Sequence, residues 1–107
     1  TIVDDDGHHV NASEILDWTS KNTPVPPFGF WDFTVGPNKT TGGLVLFGRV
    51  QGETAATIAL EILSGKDPHI ISPVIGKKGR FLFSKSQLEK WNLVLPPHIA
   101  AKTEFTE

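Results

Sequence analysis

Apolar positions along this chain recur in two rhythms, every three or four residues in some stretches and as short unbroken runs in others. The first rhythm predicts helices and the second predicts strands. Asn11, with Glu14 three residues later, makes a capping-box-like start, and Ile15, Leu16 and Trp18 give the helix that follows a single apolar stripe. That helix should stop before Thr23-Pro24, because proline disfavours helical geometry in the residue ahead of it. Phe28-Gly29-Phe30-Trp31 then reads as a short buried strand closed by Asp32, followed by a turn-rich loop from Val35 to Gly43. Gly43-Leu44-Val45-Leu46-Phe47 is an apolar run bounded by glycines, the pattern of a strand buried on both faces.

The clearest helical period runs from Gln51 to Ser64. Ala55, Ile58, Ala59, Ile62 and Leu63 share one face, expected to be the core face, with Glu53, Thr57 and Glu61 away from it. Gly65 and Pro68 end this element. Arg80-Phe81-Leu82-Phe83 reads as a last strand, and Ser84 with Gln87 caps a last helix carrying Leu88 and Trp91. That helix ends at Leu95-Pro96-Pro97, and residues 98–107 are expected to form a loosely held tail. Strands interleaved with helices predict an α/β fold in three layers with a mostly parallel sheet. Thr1-Ile2-Val3, stopping at Asp4-Asp5-Asp6-Gly7, reads as the stub of a strand, so the chain is expected to be a piece of a longer protein.

Composition narrows the class. The chain has 107 residues, 38% hydrophobic and 21% charged, which suits one modest soluble domain and excludes a disordered tail. A formal net charge of -2 offers no footprint for nucleic acid or an anionic membrane. No stretch approaches the roughly 20 apolar residues of a membrane-spanning helix. The absence of cysteine excludes disulfides, thiolate chemistry and Cys-based zinc sites. No serine sits in a Gly-x-Ser-x-Gly elbow, and no phosphate-binding glycine loop is present. The histidines, His8, His9, His69 and His98, fall in apparent loops without a nucleophile partner. A non-enzymatic role, without cofactor, is therefore expected, and an interaction domain with no small ligand is one alternative.

Two clusters carry candidate chemistry. Asp4, Asp5, Asp6, His8 and His9 offer oxygen and imidazole donors for a divalent cation, the basis of an alternative reading as a metal-dependent hydrolase fragment. Adjacent residues on an extended chain point to opposite sides and converge poorly, so a solvated polar loop is the simpler reading. Asp5 and Asp6 nevertheless follow a strand end, where ligands of open α/β sheets bind. Trp31-Asp32-Phe33 is the other cluster: two aromatics offer stacking area, and the carboxylate accepts hydrogen bonds or pairs with an ammonium group. Its plainer reading makes Trp31 and Phe33 core residues and Asp32 a loop cap.

Taken in order, Phe28-Gly29-Phe30-Trp31-Asp32, Thr41-Gly42-Gly43-Leu44, Gln51-Gly52-Glu53-Thr54-Ala55-Ala56, Ala59 to Gly65, Arg80 to Trp91 and Leu95-Pro96-Pro97 cover about two-thirds of the chain. They resemble the C-terminal third of type I periplasmic binding proteins, in particular the ABC-transporter substrate-binding family and related bacterial sensor ectodomains. The resemblance implies flavodoxin-like lobes and an extracytoplasmic cleft that closes over a small molecule, in a sensor or a transport protein. It implies that residues 1–41 and 66–97 belong to the second lobe and that 42–65 supply a hinge strand and a first-lobe helix. Gly42, Gly43 and Gly48 are the implied hinge, and Asp32, Trp31, Phe33, Asp5 and Asp6 the implied ligand contacts. Sugar-binding members carry a polar side chain in the hinge strand, whereas Leu44 to Phe47 is apolar; a hydrophobic or aromatic amino acid is the implied ligand. A piece lacking its first lobe leaves edges and apolar faces bare, so association with the rest of its parent, or a homodimer, is expected.

Overall fold

Local capping signals explain where the helices begin and end. In the computed structural model, which describes residues 2–76 and 79–107, α1 (Ala12–Asn22) starts where the Asn11 side chain accepts a hydrogen bond from the Ser13 N–H at 2.9 Å. It stops at Thr23, ahead of Pro24. The strand β1 (Gly42–Val45) leads directly into α2 (Gly48–Leu63), whose last turn gives way to Gly65 at φ 103. After β2 (Arg80–Phe83), the Ser84 hydroxyl accepts from the Gln87 N–H and opens α3 (Lys85–Lys90). The short α4 (Pro97–Ala100) and β3 (Thr103–Phe105) complete the chain. Lys77 and Lys78, and Thr1 of the expected strand stub, lie outside the described residues.

The result is a mixed α/β fold with one three-stranded sheet in the order β1-β2-β3. The pairing differs from a mostly parallel sheet. β1 and β2 run antiparallel, with Leu44 opposite Phe81, and only β2 and β3 run parallel, with Leu82 opposite Glu104. A parallel crossover lays its helix across the sheet, whereas no residue of α2 is buried, so α2 forms no covering layer. The expected strand at Phe28–Trp31 is an extended segment beside β1. Thr41 N–H donates to Pro27 O at 2.7 Å and Leu46 N–H to Phe30 O at 2.7 Å, and Trp31 bridges Leu46 in parallel. This segment is not buried; Phe30 is 66% exposed.

The core is small. Val35, Val45 and Leu82 are buried together with Phe47 packed against them, and the Arg80 guanidinium lies 4.0 Å from the Phe47 ring centre. Along β1, Val45 is fully buried while its neighbour Leu44 is 57% exposed; on the Leu44 face, burial is confined to the far end, at Gly42 and its partner Phe83. The Cα radius of gyration is 17.9 Å, against about 13 Å for a compact domain of this length. With extents of 53 × 47 × 19 Å, the described chain is a slab.

The end of the chain is not a loose tail. Thr106 N–H donates to Phe83 O, continuing the β2–β3 ladder, and the Glu107 carboxylate reaches back over α3. Its Oε1 accepts from the Ser84 hydroxyl at 2.6 Å, the Ser86 N–H at 2.9 Å and the Ser86 hydroxyl at 2.8 Å. Burial alone raises the Glu107 pKa, but the hydrogen bonds from Ser84, Thr106 and Ser86 outweigh it and bring it from 4.5 down to about 2. The folded state therefore holds this carboxylate ionised where the unfolded chain protonates. The resulting stability is fully present above pH 4.5 and is lost as pH falls toward about 2. Because Glu107 is exposed, it amounts to about 1 kcal/mol. Glu107→Gln is expected to flatten this part of the pH dependence, read as urea midpoints above and within the window.

Candidate functional site

The Trp31-Asp32-Phe33 turn is positioned from its backbone outward. Asp32 N–H donates to Leu46 O at 3.0 Å, anchoring the turn to the end of the β1 strand line. Asp32 opens a single 3-10 turn, Asp32–Thr34, closed by Val35 N–H donating to Asp32 O. Two threonines, not anticipated from the sequence, brace it from behind. The Thr34 hydroxyl donates to Trp31 O at 2.6 Å, and the Thr40 hydroxyl donates to Thr34 O at 2.8 Å. Gly29 makes room for both: a Cβ there would lie 2.3 Å from Thr34 Oγ1 and 2.6 Å from Thr40 Oγ1. The signal in the sequence was Gly29 itself, lodged between two phenylalanines where a strand residue was expected.

The turn presents two rings and a carboxylate. Trp31 and Phe33 stack with centroids 6.3 Å apart and planes inclined by 24°. Phe33 is 59% exposed and Trp31 half-buried, so neither is a core residue. Strand alternation and the observed register put Trp31, Leu46, Leu44 and Phe81 on one face of the sheet, opposite the Val45–Leu82 core. An apolar surface thus runs from the rings onto β1 and β2. Asp32 is half-buried, and among the described residues it takes part in none of the ion pairs. The nearby Lys39 ammonium is engaged instead by the Phe33 carbonyl oxygen at 3.0 Å. Chemically, the turn offers a flat apolar platform beside one anionic acceptor.

Asp5 and Asp6 lie elsewhere, in an exposed hairpin closed by a Val3–His9 bridge, with Gly7 at φ 81 in its turn. This hairpin corrects the expectation of poor convergence in part. Asp4, Asp6 and His8 alternate onto one side, and one ligand atom from each lies within 4.8 Å of the others. Asp5 and His9 stay outside the group. Asp4 Oδ1 is already engaged, accepting from the Asp6 and His8 N–H groups at 3.1 and 2.7 Å.

Of the three glycines implied as a hinge, Gly42 and Gly43 lie within the β1–β2 ladder, opposite Phe83 and Leu82. Both have positive φ, 137 and 153, and both are packed against backbone: a Cβ on Gly42 would lie 2.3 Å from Leu82 O, and one on Gly43 2.8 Å from Gly29 O. Gly48 opens α2 with nothing within 4 Å of its missing side chain. Two grooves open on other surfaces. One of about 290 Å³ is lined by Val10, Glu14, Ile15 and Trp18, and one of about 450 Å³ lies between α2 and Val74. Neither is lined by the five residues read as ligand contacts.

No family model, curated protein or solved structure matches this chain. No helix among the described residues is long and apolar enough to cross a membrane.

Proposed function

We propose that the chain is part of a non-catalytic, extracytoplasmic small-ligand-binding module of the periplasmic-binding-protein kind, sensory or transport-linked, that works by closing a cleft. The observation carrying this reading is the stacked Trp31–Phe33 pair flanking Asp32. An ammonium group paired with the Asp32 carboxylate places an adjoining apolar side chain over the rings, which suits a hydrophobic or aromatic amino acid. The exposure of the platform supports a second surface closing over it: one wall stacks and pairs, and a facing wall excludes water. Ligand binding then shifts the population toward the closed state, because only that state makes both sets of contacts. A metal-dependent hydrolase remains the second reading; it draws on the gathered Asp4, Asp6 and His8, in a part of the chain with no hydrogen bond to the Trp31–Phe33 turn among the described residues.

Calorimetric titration with L-phenylalanine tests the first reading. One wall alone should bind in the millimolar range, about -4 kcal/mol. Asp32→Asn is expected to weaken binding about tenfold, the effect of removing one charge-assisted hydrogen bond. Phenylpropionate, which keeps the ring and lacks the ammonium group, should not bind. Equal affinities for wild type and Asp32→Asn, or for the two ligands, would contradict the reading.

A further inference from the structure

We infer that the ligand of the Trp31–Phe33 turn is a zwitterion, an α-amino acid with its carboxylate free, and that Lys39 holds that carboxylate. The inference rests on the reading of this turn as a ligand site and narrows the class of ligand. The Lys39 ammonium donates to the Phe33 carbonyl oxygen at 3.0 Å, and Phe33 is the residue next to Asp32. One turn therefore carries a cation and an anion, both half-buried. They do not neutralise each other. Their charged groups stay more than 4.0 Å apart, and neither residue joins any ion pair among the described residues. An ammonium has three N–H groups to donate, and among the described residues the Phe33 carbonyl takes the only side-chain hydrogen bond of Lys39. That acceptor is neutral, so the charge of Lys39 is left for an anion.

The backbone fixes where this cation stands. Lys39 N–H donates to Gly36 O at 3.0 Å, Thr40 N–H donates to Thr34 O at 3.0 Å, and Val35 bridges Thr40. Asn38 turns the chain between them at φ 57, a left-handed position that asparagine tolerates. The Lys39 stem runs along Gly36, where an added Cβ would lie 3.9 Å from Lys39 Cδ. Thr40, the next residue, also braces the 3-10 turn through Thr34, so one loop holds both Lys39 and Asp32. Two opposite charges kept apart beside stacked rings match the three parts of an aromatic amino acid: ammonium to Asp32, carboxylate to Lys39, side chain over the rings. Because the cation is in place before binding, little ordering is needed to use it. An amine without a carboxylate brings its charge toward an uncompensated Lys39, and like charges repel. An acid without an ammonium group meets the unpaired Asp32 in the same way. Lys39, already shared with the Phe33 carbonyl, is the weaker of the two partners.

Titration of the ¹⁵N-labelled chain with L-phenylalanine and with 2-phenylethylamine, followed at the Trp31 indole N–H, tests the inference. The amine keeps the ring and the ammonium group and lacks only the carboxylate. The wild type is expected to bind L-phenylalanine about tenfold more tightly than the amine, the effect of one charge-assisted hydrogen bond. Lys39→Met keeps the stem along Gly36 and removes the ammonium. It should weaken L-phenylalanine about tenfold without weakening the amine, and so abolish the preference. Asp32→Asn should weaken both ligands. Equal binding of the two ligands by the wild type would overturn the inference, as would an unchanged preference in Lys39→Met. In either case a loss of both ligands in Asp32→Asn would leave the turn standing as a ligand site. A Trp31 indole indifferent to both ligands would overturn the inference together with the reading on which it rests.

Discussion

Leu82→Asp is expected to leave the chain unfolded at neutral pH. Leu82 lies on the central strand and is one of three buried residues at the centre of the core, with Val35 and Val45. An aspartate there carries an unpaired charge into apolar surroundings, which costs several kcal/mol. The register makes this worse, because Leu82 is paired across the sheet with Glu104, whose carboxylate is already held by Arg80. Like charges directly opposite one another repel. Against a total stability of about 5–15 kcal/mol for an ordinary domain, and a core this small, the loss is decisive. The same substitution at Leu44, on the open face, should shift stability by no more than about 0.5 kcal/mol. Far-ultraviolet circular dichroism and urea titration of the two variants make the comparison. Equal behaviour would mean that the two faces of the sheet are not distinguished as described.

Gly42→Ala is expected to destabilise by about 3 kcal/mol, lowering the urea midpoint by about 2 M at an ordinary slope. At φ 137 an L side chain is strained, and the added Cβ would lie 2.3 Å from Leu82 O and 2.7 Å from Phe83 Cα. Both obstacles are backbone atoms in the hydrogen-bonded ladder, so neither moves aside without breaking the β1–β2 pairing. Gly48→Ala is the contrast. Nothing stands near its Cβ direction and its backbone is helical, so alanine there should be neutral or stabilising by about 0.5 kcal/mol.

What could be read from the sequence was what depends on neighbours along the chain. Asn11, Thr23-Pro24, Ser84 with Gln87, and Gly65 mark helix ends through contacts within a few residues, and the structure places the ends accordingly. The β2 strand at Arg80–Phe83 also lies where its apolar run predicts. Strand direction and the tail were not legible, because they are decided at long range. Thr103-Glu104-Phe105 has no marked period and becomes β3 only by lying beside β2, with Glu107 fastened to Ser84 and Ser86. Periodicity likewise identified an apolar face on α2 without revealing that Ala55, Ala59, Ile62 and Leu63 of that face are exposed and only Ile58 is half-buried. For the candidate site, Trp31, Asp32 and Phe33 were legible as a group, and the structure keeps them together as an exposed turn. The bracing by Thr34 and Thr40 was not, since it depends on the close approach permitted by Gly29.

The proposed reading rests on the open turn in which Trp31 and Phe33 stack beside Asp32. The most direct test follows the amide and indole N–H resonances of the ¹⁵N-labelled chain during titration with L-phenylalanine. The account predicts shifts centred on the Trp31 indole and the backbone amides of Asp32, Phe33 and Leu46, strongly reduced in Asp32→Asn. Shifts centred instead on Val10, Ile15 and the Trp18 indole, or a Trp31 region indifferent to the amino acid, would contradict it.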